Sequence, residues 1–453
     1  MKTKHYDVFV IGSGIAGQTV AKTCIKNGLK VAIADKREYG GTCALRGCDP
    51  KKVLMQFAYL MQQTKQLKAN GITKMPKIDW KTVQEFKSTF TQPVPKHTES
   101  DLNNLGIDLY HQSPKFISKT EIFVEGKKVS ADNFIIATGL VPRKLDFRGS
   151  DFLKNSDDIL NLKKIPKSAI FLGSGYVGME FAYMLSTMGC KVTIIDTGER
   201  PLTQFDEFLV EKLTDSMKNS GVNFIFNSIP TQIEKLKKNY KVSYKHEGAI
   251  ETVKARAVFN TAGRVPAIEP LNLEKANIKH DKSGITVNDF LQSVSNKNVY
   301  ACGDVSNKSV PLTPLSGLQG YIVGENIVNG NTKEFQNPLV PSVVFTYPNL
   351  ASVGYTEEEA KSRYKTIKIF QGDATNWYNA KKENLNVYAY KIIVNERTQK
   401  IVGAHLLSPL ACETINLFTM AINNQLTVYD IKKMTFTYPS YANDIKSMFA
   451  DKR

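Results

Sequence analysis

The sequence predicts an α/β chain in which two Rossmann-like strand–loop–helix–strand units are followed by a separate α+β domain. Three observations predict it. The pattern G-x-G-x-x-G occurs twice behind an apolar strand. Each copy is followed, at one and the same distance, by a strand ending in aspartate. After about residue 339 the pattern changes to alternating strands.

The first unit opens with the strand YDVFVI at 6–11 and turns through Gly12, Gly14 and Gly17. It runs as a helix to about Asn27 and returns as KVAIAD, ending in Asp35. Glycines at these positions permit a tight turn, the approach of a pyrophosphate and close packing of helix on strand, while the carboxylate takes ribose hydroxyls. The second unit repeats this with AIFL at 169–172, then Gly173, Gly175 and Gly178, a helix to about Met188, and KVTIID ending in Asp196. Gly12 to Asp35 and Gly173 to Asp196 both span 23 positions. Matched spacing in two such contexts implies two separate dinucleotide sites.

FIIATGLVP, with Thr138 and Gly139, and NTAGRVP, with Gly263 and Arg264, each read as a strand turning through glycine into a proline connector. They mark the exits of the two nucleotide regions, so the first domain is interrupted by the second. VYACGD at 299–304 then reads as a buried strand running to Gly303 and Asp304, and Leu312 and Thr313 open a helix. The expected layout is a first domain at 1–147, a second at 148–275, a return to the first at 276–338 and a C-terminal α+β domain at 339–453.

Length and charge restrict the function classes. At 453 residues the chain is about three domain lengths. Its net charge of +17 comes from lysines spread along the whole sequence, not from a basic block with interleaved aromatics, so no nucleic-acid partner is expected. No apolar run approaches the roughly 20 residues of a membrane span, so no membrane partner is expected. The first strand starts almost at once, which leaves no cleavable leader to expect and makes the cytoplasm the expected address.

Of six cysteines, only Cys43 and Cys48 are close in sequence; Cys24, Cys190, Cys302 and Cys412 read as packing residues. The pair lies in GGTCALRGCDPKK, with Gly41 and Thr42 before it and a helix expected to begin near Pro50. Amides at a helix N-terminus, with Lys51 and Lys52 nearby, favour a thiolate, and four intervening residues allow the sulfurs to meet in a disulfide. No further Cys or His cluster completes a ligand set, so no resident metal is expected.

These motifs together resemble the class I pyridine nucleotide-disulfide oxidoreductases, the family of glutathione reductase, dihydrolipoamide dehydrogenase and mercuric reductase. The likeness covers nearly the whole chain. It rests on GGTCALRGCDPKK, both glycine units, the ATG and AGR connectors, VYACGDV, LTP, PSVVFTYPNLASVGYTEEEA and GAHLLSPLACETIN. The resemblance implies FAD on the Gly12 unit, with Asp35 at the adenosine ribose and Asp304 at the ribityl chain, and a nicotinamide dinucleotide on the Gly173 unit. Tyr176 matches a residue that covers the flavin until nicotinamide displaces it. Glu180 matches one that pairs with a lysine near the flavin, for which Lys52 is the first choice and Lys51 the second. It implies a C-terminal dimerisation domain and a homodimer whose active site is shared across the interface. Hydride would pass from nicotinamide to flavin and electrons on to the disulfide. Cys48 would be the thiolate beside the flavin, and Cys43, the more exposed sulfur, would attack a small-molecule substrate. Asp196 favours NADH, because a carboxylate accepts ribose hydroxyls and repels a 2′-phosphate; NADPH is the alternative that Arg200, four residues on, would serve.

The last domain departs from the family pattern. Disulfide-reducing relatives carry a His before a Pro and a Glu shortly after it, which exchange protons with the substrate thiol. Here TFTYPSYANDIK places Tyr438 at the His, Asn443 at the Glu, and Asp444 next to it. A phenol is a poor base at neutral pH, and a general acid/base contributes about 10²- to 10⁴-fold. Lys22 stands where glutathione reductases have a substrate arginine, which counts against glutathione. Three electron acceptors follow as expectations: a disulfide-type substrate with Tyr438, Asp444 or water handling protons; a metal ion or oxidant, as in mercuric reductases, which also carry tyrosine at the His position; or oxygen or quinones. Mercuric reductases further carry a C-terminal cysteine pair, whereas this chain has no cysteine after Cys412.

Overall fold

The computed structural model describes residues 3–68 and 70–450, which divide into two compact units. Of the described residues, one unit comprises 3–53, 84–144 and 264–337; the other comprises 54–68, 70–83, 145–263 and 338–450.

The first unit is built on a seven-stranded sheet. Lys4–Ile11 lies at its centre, parallel to Val31–Ala34 on one side and Lys127–Ile136 on the other. Val299–Ala301 adds a further parallel strand beside Lys127–Ile136. Strands covered on both faces read as unbroken apolar runs, and Val8 to Ile11 and Val31 to Ala34 are all buried. Phe9, Phe116 and Phe134 interlock in this core, with ring centroids 5.2 to 6.1 Å apart; each such buried side chain contributes roughly 1.5–3 kcal/mol. Helix Ile15–Lys26 starts at the end of the central strand and packs on helix Thr313–Asn329, where a Cβ on Gly320 would strike the Ala16 carbonyl at 2.5 Å. Cys24 and Cys302 are fully buried in this core.

The second unit contains a four-stranded parallel sheet with Lys191–Ile195 and Ser168–Leu172 at its centre, and a three-stranded antiparallel sheet from Ser228 to Ala255. It also holds a five-stranded antiparallel sheet ordered Ser342–Val344, Asn349–Gly354, Ile401–Ser408, Ala389–Asn395, Ile367–Asp373. Helix Ala411–Asn423 covers this last sheet. The mixed α/β architecture is thus the one the sequence predicts. His405 is fully buried on the sheet, bonded to Ser352 Oγ and the Tyr355 carbonyl, as befits a structural residue. Cys190 is buried, whereas Cys412 is half-buried and so is less enclosed than a packing cysteine was expected to be.

The two glycine loops have one backbone. Gly12 and Gly173 have φ of 111° and 108°, a region closed to L side chains, and a Cβ on either would lie 2.3 to 2.5 Å from the carbonyl oxygen of Ala137 or Thr261. The chain therefore turns tightly enough to start helices Ile15–Lys26 and Tyr176–Thr187 directly at the strand ends.

Candidate active site

Both acidic strand ends are held by the loop they face. Asp35 accepts from the Ser13 amide at 2.8 Å, the Ser13 hydroxyl at 2.7 Å and the Arg37 amide at 3.0 Å. Asp196 accepts from the Ser174 amide at 2.5 Å, the Ser174 hydroxyl at 2.6 Å and the Gly198 amide at 2.8 Å. The serine between the first two glycines is the locking residue in both copies. Sequence reading treated it as a free position, although GSG in each loop was the available signal. Arg200 donates to the Thr203 carbonyl at 3.2 Å and the Phe205 carbonyl at 3.5 Å.

Gly12, Gly14, Gly17, Asp35, Gly41, Thr138, Gly139, Gly303, Asp304, Leu312 and Thr313 all belong to the first compact unit. A Cβ on Gly41 would meet the Gly14 Cα at 2.5 Å, which leaves the two backbones in direct apposition. Gly303 donates its amide to Gln319 Oε1 and starts the turn Gly303–Val305 that presents Asp304. Burial raises the Asp304 carboxyl above its ordinary value, against the Ser316 hydroxyl, which donates to it, and the charge of Arg264. Arg264 itself donates to the Leu140 carbonyl across the paired connectors. Thr138 Oγ1 is buried and has no hydrogen-bond partner among the described residues. A buried hydroxyl left unpaired costs about 1–3 kcal/mol unless a bound polar group meets it. That hydroxyl, with the glycine cradle and Asp35, fits a dinucleotide.

Cys43 lies in the short helix Gly41–Arg46, and Cys48 opens the long helix Cys48–Gln66. Thr42 is exposed beside them. Both are free thiols, and each acts on the titration of the other. Thr313, the first residue of its helix, donates its hydroxyl to Cys43 Sγ at 3.1 Å and lies 3.7 Å from Cys48 Sγ. Sequence reading had assigned Thr313 to cofactor binding alone. The bond from Cys43, the Thr313 hydroxyl and the charges of Lys51 and Lys52 hold the Cys48 thiol down, to about 6, against the opposing effect of burial. Lys51 exerts the larger pull of the two lysines. The bond to Cys48 and burial raise Cys43. These effects together favour the thiolate at Cys48 over Cys43; taken as whole residues, Cys48 is exposed and Cys43 half-buried.

In the second unit, Gly173, Gly175, Gly178 and Asp196 form the corresponding loop. Tyr176, the first residue of helix Tyr176–Thr187, is 42% exposed. One turn on, Glu180 is buried and accepts the Phe345 amide at 3.0 Å. Gly263 ends the NTAG connector. At the departing C-terminal motif, Tyr438 is 69% exposed and its ring lies 6.1 Å from that of Tyr378. Asp444 is buried and accepts from Asn379 Nδ2 at 2.9 Å and the Tyr388 hydroxyl at 3.1 Å. Burial raises its carboxyl and these two donors oppose the rise. Asn443 is engaged through its amide, which the Ser440 hydroxyl caps at 3.1 Å.

A dithiol with one depressed thiol, next to the Gly41 turn that abuts the first of two dinucleotide-type loops, defines a thiol–disulfide oxidoreductase. The family model described as pyridine nucleotide-disulphide oxidoreductase matches residues 6–320, and that of the family's dimerisation domain matches 340–449; the chain belongs to this family. The family is FAD-dependent and works with NAD(P)H. Relatives include a mercuric reductase of Lysinibacillus sphaericus, 30% identical over 450 residues that cover 98% of this chain and 82% of that protein. A glutathione reductase of Nostoc sp. is 29% identical, covering 98% and 100%. A dihydrolipoyl dehydrogenase of Chlamydia muridarum is 30% identical, covering 96% and 94%. Among solved structures, the Cu(II) complex of a cysteine-to-serine mutant of the HOCl-induced flavoprotein disulfide reductase RclA from Escherichia coli superposes with a TM-score of 0.88 at 26% identity, over 99% of both chains. No helix among the described residues is long and apolar enough to cross a membrane.

Proposed function

We propose that this protein is an NADH-dependent flavoenzyme whose Cys43–Cys48 dithiol passes electrons to a thiophilic metal ion such as Cu(II). The observation that carries the reading is the state of the 438–444 segment. Tyr438 stands in place of a base, and Asp444 is buried and already engaged by Asn379 and Tyr388. A disulfide acceptor needs a proton for each leaving thiolate, whereas a metal acceptor does not. With Cu(II), the two cysteine sulfurs lose two electrons and close their S–S bond, two Cu(II) become two Cu(I), and the thiol protons go to solvent. NADH then supplies a hydride, which with one proton reopens the disulfide and leaves NAD⁺. Bound FAD supplies the hydride acceptor between nicotinamide and disulfide.

On the protein side, Asp35, Thr138 and Asp304 would hold FAD. Thr313 and the lysines at 51 and 52 stabilise the Cys48 thiolate that the metal meets. The engagement of Arg200 with two carbonyls supports NADH over NADPH, since the guanidinium is turned to its own backbone while Asp196 stays a carboxylate acceptor. The match to the dimerisation domain supports a homodimer in which each 438–444 segment faces the cysteines of the other subunit. Similarity to mercuric reductases and to a Cu(II)-bound flavoprotein leans the same way. Disulfide reduction is the second reading, favoured by the paired thiols themselves.

An anaerobic panel with NADH or NADPH against Cu²⁺, Hg²⁺, glutathione disulfide, lipoamide, cystine and a quinone tests this. The expected result is NADH-driven metal reduction that Cys43→Ser and Cys48→Ser abolish. Faster turnover of a disulfide than of any metal would overturn the metal assignment, and quinone turnover that survives Cys43→Ser would make the protein a diaphorase.

A further inference from the structure

We propose that Tyr59 is a positioning residue for Glu180, acting through the backbone of Phe345. Three groups of the second unit meet here. The Tyr59 hydroxyl donates to the Phe345 carbonyl at 3.1 Å, and the Phe345 amide donates to Glu180 Oε1 at 3.0 Å. Phe345 is thereby pinned at both of its main-chain polar atoms, which fixes the direction in which its N–H points. The clamp is itself braced. Asn349 Nδ2 donates to the Tyr59 hydroxyl at 3.3 Å and to the Thr346 carbonyl at 2.5 Å, and the Tyr59 ring packs on Tyr347 with centroids 5.7 Å apart.

The need for such a clamp follows from burial. Glu180 is 1% exposed, and a carboxylate withdrawn from water depends on fixed donors for its orientation. A loop amide is a donor only while the loop is held, and the FTYP stretch at 345–348 is an irregular connection between strands Ser342–Val344 and Asn349–Gly354. Tyr59 supplies the hold from helix Cys48–Gln66, while Glu180 projects from helix Tyr176–Thr187. The inference rests on the family reading in which Glu180 sits beside the flavin's lysine, and adds that Tyr59 sets how that carboxylate is presented.

The test is Tyr59→Phe, which keeps the ring on Tyr347 and deletes the hydroxyl. The substitution removes two neutral hydrogen bonds, and loss of the one to the Phe345 carbonyl predicts that Phe345 amide exchange in the apoprotein speeds up by about three- to tenfold. Flavin reduction by NADH in the loaded enzyme should slow by a similar factor with the NADH KM unchanged. Glu180→Gln, run in parallel, should slow flavin reduction more strongly. If Glu180→Gln has no effect, the family reading of Glu180 falls and this proposal with it. If Glu180→Gln slows the reaction while Tyr59→Phe leaves both the rate and the Phe345 exchange at wild-type values, the Tyr59 assignment alone is overturned.

Discussion

Thr313 and Cys43 are 270 positions apart in sequence and meet at 3.1 Å, hydroxyl to sulfur. The bond places the start of the helix Thr313–Asn329 against the redox pair. It also ties the protonation of Cys48 to a residue of the LTP motif, because Thr313 lowers both thiols and its effect on Cys48 adds to that of Cys43.

In the reduced enzyme the thiolate fraction of Cys48 should grow through about pH 6, well below the ordinary thiol value of 9.0. Alkylation by iodoacetamide, mapped by mass spectrometry against pH, reads this directly. Thr313→Val removes a bond to a charged sulfur and should move the midpoint upward by about one unit or more. The sign for stability follows: the folded value lies below the unfolded one, so the thiolate's contribution is complete above about pH 9 and disappears as pH falls through about 6. Cys48→Ser should therefore flatten the fall in melting temperature of the reduced protein across that window.

Tyr438→His combined with Asn443→Glu restores the residue types of disulfide-reducing relatives at the exposed end of the segment. Turnover of a small disulfide should rise by about a hundredfold, the lower end of what a general acid/base contributes. Cu(II) reduction should change by less than about twofold. A gain in metal turnover with none for disulfides would contradict the argument that proton supply limits the disulfide reaction.

Lys391 lies 2.8 Å from Asp206, with both side chains nearly buried, and 3.1 Å from Glu357. Lys391→Met should destabilise the protein by about 3–5 kcal/mol in denaturant unfolding, because it strands the Asp206 carboxylate away from water. The double variant Lys391→Met, Asp206→Leu should recover most of that loss. A single variant as stable as wild type would show that the carboxylate stays hydrated.

Much of the fold was legible because its signals are local. Gly12 and Gly173 are required by a backbone angle, and Asp35 and Asp196 close a motif of fixed length, so both units could be placed from spacing alone. The cysteine pair was legible for the same reason. What escaped was what the chain assembles from far apart: Thr313 turning to the sulfurs, and Tyr59 reaching Phe345 286 positions away. Ser13 and Ser174 were in plain sight but sit in positions a glycine pattern leaves unspecified.

Those two serines have a thermodynamic consequence. Each fixes the carboxylate opposite it during folding, with a hydroxyl and an amide on one oxygen. The rotamer entropy of Asp35 and Asp196 is thus surrendered before any ligand arrives, and on the proposed reading a ribose would meet acceptors that no longer have to be frozen in place. Association can then spend about 0.5–1.5 kcal/mol less at each ribose on ordering side chains. Preorganisation of this kind would strengthen binding at both loops alike, so any difference in retention between them is left to the groups around each loop.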